Sequence, residues 1–502
     1  GRCVARQRGR VRPAAARRAA PRGPAAGVVP AEEAVAPSPC PAYLQQPEAL
    51  DEQVLALALP AIVALCAEPV LSIIDTGFVG RLPDAALSLG GLGVATTIFD
   101  FVFRCYNFLC VVTVPLVAQA VVARGRGDPD APDPAQITGR VIGLAVFLGL
   151  ATWASLAWGA PLALQLAGAP PDSALGGIAA SYLRIRAVAL PASLVNTVAV
   201  GTFRGQLDTA TPLQVVLLQS LANVVLDGAL VFGVEGLGIP AMGVEGAALA
   251  TVASIWLSCA AFCLLLNRRG LVAWEAALTW PSALAELKPL IEGGLSQLLR
   301  TLSLQAVLLQ FTQVVVGLDS GGLAAAAHQV ALRVWFFALF ALDSVAVAAQ
   351  ALLPMALATG GPGSARWVSV RLLLWGFAGG LLTGTVLAVS AASVPAIFTS
   401  SQDVQAAAAP LILLLAALQP LAGLVFTWDG MFQGLTDYAY LAVAMAVSAG
   451  VTLGALQLDS LSGSLQGVWA CFSLFLVCRA VGLAWRFWGP GPLAERGQGD
   501  EA

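Results

Sequence analysis

Twelve long apolar runs separated by short loops occupy the chain at roughly 54–78, 89–121, 138–160, 178–203, 211–233, 243–266, 287–316, 321–355, 368–392, 406–432, 438–457 and 464–487. A helix crosses the hydrocarbon core of a bilayer with about 20 mostly apolar residues, so every run is long enough to span. A soluble chain covers its surface with about 25% charged residues. Here only 11% of the 502 positions are charged, and mean hydropathy is +0.81. The expected fold is an all-α polytopic membrane protein of twelve transmembrane helices.

Cations in short loops mark the side of the membrane that is not translocated. Arg124, Arg126, Arg140, Arg204, Arg268, Arg269, Lys288, Arg366 and Arg371 fall in the loops after even-numbered runs, whereas the opposite loops hold Arg81. Both termini are therefore expected on one basic side. Arg184 and Arg186 fit this pattern poorly and are read as snorkelling to the other interface. The chain also repeats itself. GTFRGQLDTA at 201–210 resembles GMFQGLTDYA at 430–439, and GLGVATTIFDFVFR at 91–104 resembles AAAHQVALRVWFFA at 325–338 more weakly. Six spans per repeat is an even number, so the halves enter the membrane in the same sense and relate by an axis along its normal. Two pseudo-symmetric six-helix lobes are expected, at 51–266 and 287–488, with a linker at 267–286 and a disordered tail at 489–502.

The near-neutral charge of -3 joins two unlike parts. Residues 1–24 carry eight Arg and no acid, while positions from 51 onward carry eighteen Lys and Arg against twenty-six Asp and Glu. An Arg-rich, acid-poor leader without an apolar core fits an organelle transit peptide over 1–50 better than a secretory signal. A nucleic-acid-binding arm is the rival reading of the same arginines.

Several chemistries are excluded by what is scarce. The single lysine, Lys288, precedes Pro289, so no GxxxxGK[ST] phosphate loop exists. One histidine, His328, leaves no HExxH zinc site and poor material for a Ser-His-Asp triad. The nine cysteines form no CxxC pair, and Cys105, Cys110, Cys259 and Cys263 lie in apolar runs as small hydrophobes. The chain is expected not to be an enzyme and to hold neither cofactor nor metal.

Ionised groups at bilayer depth cost about 2.5–3.5 kcal/mol on insertion scales, so acids there are functional candidates. Asp75 lies in EPVLSIIDTGFVG, six residues after Pro69, whose missing N–H loosens a helix. It is either a proton- or Na+-exchanging carboxyl or an acid already solvated at the helix end. Asn223 and Asp227 share a helical face with Gln219. They form either a cation-binding stripe or an interhelical hydrogen-bonding seam. Asn196 is placed to face the same pocket. In the second half the polar residues at depth include Asp429, Asp343, Gln305 and Gln350. Arg300 either attracts an anionic solute or pairs with Asp343 or Glu292. Asp100 and Arg104, at i,i+4 spacing, are read as a self-neutralising structural pair. His328 is read as packing near the start of its helix.

SIIDTGFVGRL, LPASLVNTVAVGTFRGQLDT, NVVLDGALVFG, MGVEGAALATVAS, AAHQVALRVWFFALFALDSVAVAAQALL and QPLAGLVFTWDGMFQGLTDYAYLA together resemble the multidrug and toxic compound extrusion family. The last segment is similar to its DinF-type branch, and in particular to plastid-targeted members of plants and algae. The resemblance covers nearly all of residues 51–487. It implies a twelve-helix, two-lobe antiporter that exports an organic solute, an organic anion or amphipathic metabolite or xenobiotic, while admitting H+, or alternatively Na+. It implies cation coupling at Asp75 with Asn196, Asn223 and Asp227 around it, and matches Asp429 to the Asp of a tenth-helix DG motif. The seventh-helix Glu of another branch has no counterpart, since Glu292 lies too near the helix start, which favours H+.

The implied setting is a multi-pass chloroplast envelope protein, monomeric, partnered by a small organic solute and the bilayer and not by nucleic acid. Two rivals remain. A lipid-linked precursor flippase of a related superfamily would need a large, strongly cationic cavity. An intramembrane enzyme would need paired acids or a Ser/His dyad.

Overall fold

The structure is a computed structural model that describes residues 46–494, apart from positions 83, 129–130, 168, 171, 235, 237, 280–287, 319–321 and 490. The expected leader lies outside the described residues as far as position 45, and Pro47 to Leu50 belong to the first helix instead. Residues 495–502 of the expected tail also lie outside them, yet Leu493 is buried in the core of the second lobe. Among the described residues regular structure is helical except for one isolated bridge, Val234 with Ile239.

The first lobe contains α1 (Pro47–Val79), α2 (Ala85–Arg104), α3 (Phe108–Gly125), α4 (Pro134–Leu166), α5 (Ala174–Ala187), α6 (Leu190–Gly205), α7 (Ala210–Phe232) and α8 (Gly243–Arg268). The short α9 (Trp274–Thr279) lies in the linker against the start of α4, where Ala273 N–H donates to the Ala135 carbonyl at 2.9 Å. The second lobe contains α10 (Lys288–Val316), α11 (Leu323–Ser390), α12 (Pro395–Phe398), α13 (Gln402–Gly434), α14 (Tyr438–Ala455), α15 (Asp459–Ser462) and α16 (Leu465–Trp488).

Local chemistry sets the breaks. Asp133 caps α4 by accepting from Ala135 N at 3.0 Å with Pro134 in the first turn, and Ser173 caps α5 from Gly176 N at 3.0 Å. Residues 105–107 tighten the chain between α2 and α3 through i to i+3 hydrogen bonds. Pro191, which has no N–H to give, opens α6, and the α5–α6 pair bends by 50°. Pro60 and Pro69, by contrast, are carried inside an unbroken α1.

Among the described residues ten helices are long and apolar enough to cross a membrane, or eleven with the bent α5–α6 pair taken as one span. The 68-residue α11 is longer than one crossing needs: about 100 Å at 1.5 Å per residue against a core of about 30 Å. Its backbone breaks at Gly361, where φ is 68°, followed by Pro362. Each arm is long enough for a span of its own. The second arm then packs against α13 with no side chain between the backbones: a Cβ at Gly423 would meet the Gly376 carbonyl, and one at Gly380 the Gln419 carbonyl. Small residues at such a seam give the close van der Waals approach that holds helices together in lipid.

The repeat read from the sequence is visible in the fold. Asp208, after α6, pairs with Arg269 at the end of α8 at 2.7 Å, and Asp437, after α13, pairs with Arg486 near the end of α16 at 2.9 Å.

The lobes meet at the basic end. Leu50, Val54 and Leu57 of α1 are buried in the core of the second lobe, while Leu290 and Tyr438 are buried in that of the first. Gln350 donates to the Val111 carbonyl at 3.0 Å, Arg126 to the Thr359 carbonyl at 2.8 Å, and Trp375 Nε1 to Asp51 at 2.7 Å beside the Arg371–Asp51 ion pair. At the opposite end the buried clusters stay within single lobes, around Val79, Leu92 and Phe99 in one and Ala327, Val330 and Ala408 in the other. The contacts that join the lobes are thus gathered on the basic side, where they form a floor.

Candidate functional site

Asp75 occupies the last turn of α1, which runs four residues further to Val79. Despite that position, one of its carboxyl oxygens is sealed from solvent and accepts no hydrogen bond. Its carboxyl reaches that of Asp227 across the contact between α1 and α7. Asp227 is 0% and Asn223 2% exposed, and neither makes a side-chain hydrogen bond. The interhelical seam is made one turn away instead: Asn196 Nδ2 donates to Ser258 Oγ at 2.7 Å, and Ser258 Oγ to Gln219 Oε1 at 2.7 Å. Of the two readings of the α7 stripe, Gln219 therefore serves as the seam, and Asn223 and Asp227 hold the unspent valences. Asn196 belongs to the seam, with its Oδ1 left over.

Two facing carboxyls in a dry setting repel when both are ionised, and neither has a donor with which to bond the other. One shared proton removes the repulsion and supplies the donor. The set of bare oxygens on Asp75, Asp227 and Asn223 is equally made only of hard oxygen ligands, the kind an alkali cation takes.

Arg186 is the member of this site that the sequence reading missed. It does not snorkel outward. It lies in the last turn of α5, where the bend towards α6 turns its guanidinium over the Phe99 ring at 4.7 Å and lets it donate to Tyr182 Oη at 2.9 Å. It interacts electrostatically with Asp75, Asp100 and Asp227. For Asp100 it is a stronger charge partner than Arg104, so the expected i,i+4 pair is not the principal one. Three acids thus surround one arginine in the first lobe.

The second lobe carries a different set. Asp429 of α13 receives Arg300 of α10 at 2.8 Å and Arg479 of α16, all largely buried. Asp343 of α11 lies within charge range of Arg300, Asp429, Arg479 and, from the first lobe, Arg204. Arg300 therefore pairs with Asp429 rather than with Glu292, which pairs with Lys288 at 3.6 Å. Gln350, expected in the cavity, is instead 4% exposed and spent on the seam at Val111. Gln305 is half-buried on α10. His328 is 2% exposed and packs edge-on to Trp469 with ring centroids 5.5 Å apart, as a core residue. Arg479 was open to sequence reasoning, because an arginine inside an apolar run is as costly as an acid there.

A family model described as MatE matches residues 60–228. The chain is 31% identical over 443 residues to Protein DETOXIFICATION 44, chloroplastic, of Arabidopsis thaliana, covering 86% of this chain and 81% of that one. It is 30% identical to DNA damage-inducible protein F of Escherichia coli strain K12, covering 87% and 92%. Among solved structures it is similar to MATE in the bent conformation, with a TM-score of 0.78 at 19% identity, covering 92% of this chain and 98% of that one, and to MATE in the straight conformation, with a TM-score of 0.75.

Proposed function

Because this chain belongs to the multidrug and toxic compound extrusion family, whose members are membrane transporters and not enzymes, we propose that it is an antiporter exporting an organic solute in exchange for H+. The observation that carries the reading is the Asp75–Asp227 pair, two facing carboxyls with bare oxygens and no protein donor. A proton is the smallest ligand that satisfies both. Na+ is the second candidate, favoured by the nearby oxygen of Asn223.

Alternation follows from how α1 is shared. Its first half is buried in the second lobe and tied by Asp51 to Arg371 and Trp375, while its last turn presents Asp75 to α7 of the first lobe. A change in charge at Asp75 alters its attraction to Arg186 and its repulsion of Asp227, and α1 carries that change to the floor where the lobes meet. Opening the floor and closing the far end would move a solute from one side to the other. The chloroplastic relatives in Arabidopsis support a plastid membrane as the site of action, and the envelope is the membrane proposed.

The test is export from proteoliposomes of a panel of organic anions and phenolic compounds with H+ and Na+ gradients imposed separately. Export driven by the H+ gradient alone is expected. Export driven only by Na+, or by neither gradient, would overturn the coupling.

A further inference from the structure

The two lobes differ in what they leave unbonded. In the first lobe the bare atoms are mostly acceptors, the oxygens of Asp75, Asp227, Asn196 and Asn223. On the floor side of the second lobe they include two donors, Gln297 Nε2 and Arg300 Nε, together with the Tyr438 hydroxyl. Gln297 and Arg300 sit three residues apart on α10 and so share a face. Arg300 Nη1 donates to Gln297 Oε1 at 3.5 Å and Nη2 to Asp429 at 2.8 Å, which fixes both groups and leaves both N–H bonds of Gln297 Nε2 and the N–H of Arg300 Nε without a partner. Gln297 is 6% exposed, so its free amide lies where an unpaired donor is costly. The Arg300 side chain is 21% exposed overall, although its Nε is buried.

Charge points the same way. Arg300 and Arg479 both bond Asp429, and Arg204 lies within charge range of Asp343 beside them. Two unspent donors next to this arginine cluster have the polarity of an oxyanion site. We infer that Gln297 and Arg300 form a binding site for the carboxylate or phosphonate group of an organic solute beside the floor, where α10 meets α3. The occupant rests on the transporter reading, but the site itself does not depend on which ion drives transport.

Equilibrium binding of benzoate and phenylphosphonate, against benzamide and phenol, is measured by calorimetry on the full chain in nanodiscs of uncharged lipid, with no gradient imposed. Failure of H+ coupling therefore leaves this result untouched, and failure here leaves the coupling test untouched. The anions are expected to bind more tightly than their neutral counterparts. Gln297→Met, which keeps the volume and removes the amide, should lower that preference about tenfold, the scale of one hydrogen bond to a charged group. Gln297→Glu should abolish it, with both melting temperatures near wild type. Equal binding of anions and neutral compounds by the wild type would overturn the site, as would an undiminished preference in both variants. Loss of benzoate binding when phosphatidylglycerol is added would assign the site to a lipid headgroup and overturn the solute.

Discussion

Leu207 and Thr436, 229 positions apart, adopt the same left-handed backbone conformation, with φ of 60° and 63°. Each precedes an aspartate whose N–H returns to a phenylalanine carbonyl at 2.9 Å, Asp208 to Phe203 and Asp437 to Phe432. Two non-glycine residues in so rare a conformation at matching places in the two lobes make the internal repeat a matter of backbone geometry as well as of sequence.

The left-handed conformation costs an L-residue about 1–2 kcal/mol, and glycine's greater freedom in the unfolded chain offsets roughly 0.5–1 of any relief. Thr436→Gly is therefore expected to raise the melting temperature in detergent slightly. Leu207→Gly is expected not to, because the Leu207 side chain packs against Cys110, Val114 and Ala351. Equal effects at both positions would show that backbone strain alone decides.

Asp208 lies between the membrane helices, and burial alone would raise its pKa. The Thr211 hydroxyl and amide and Arg269 outweigh that and hold it below the usual carboxylate value. A lowered folded pKa adds stability that is present above the unfolded value of about 3.9 and is lost as pH falls through the folded one. Asp208→Asn is expected to melt below wild type at pH 7, with the gap closing as pH drops under about 4. A gap independent of pH would contradict the ion pair as its source.

Asp429 neutralises two buried arginines, so removing it strands both charges. Breaking a buried pair from one side costs about 3–5 kcal/mol. Asp429→Ala is expected to cost at least that much, read as lost monodisperse protein on size exclusion after heating. Asp343→Asn, which leaves the Arg300 and Arg479 contacts intact, is expected to be tolerated.

Cys110 is 6% exposed and sits in the inter-lobe seam with Val114 and Ala351. Asp51→Ala releases the Arg371 and Trp375 ties that hold α1 to the second lobe. Maleimide labelling of Cys110 is expected to accelerate in that variant, and an unchanged rate would mean that the seam is held without the latch.

Much of this was legible in the residues. Asp75, Asn223 and Asp227 stand out because a polar group inside an apolar helix is costly wherever the helix is placed, and the 201–210 and 430–439 segments announce the repeat. Partners were less legible. Arg186 reads as an interfacial cation until the bend before Pro191 turns it over Phe99, and Arg479 meets Asp429 across 50 positions of chain. Gln350 reads as a cavity residue because its role depends on which faces of α3 and α11 meet at the floor, and no periodicity records that. The length of α11 was also hidden: the break lies at Gly361 alone, where the sequence suggests a longer loop.

Proton coupling through Asp75 and Asp227 is tested most directly by comparing two modes of transport in the same vesicles. Solute accumulation driven by an imposed pH gradient needs the proton, whereas exchange of labelled for unlabelled solute at equal pH does not. Asp75→Asn and Asp227→Asn are each expected to lose the first mode and keep the second. Gradient-driven accumulation at the wild-type rate in either variant would contradict the assignment of the proton to this pair.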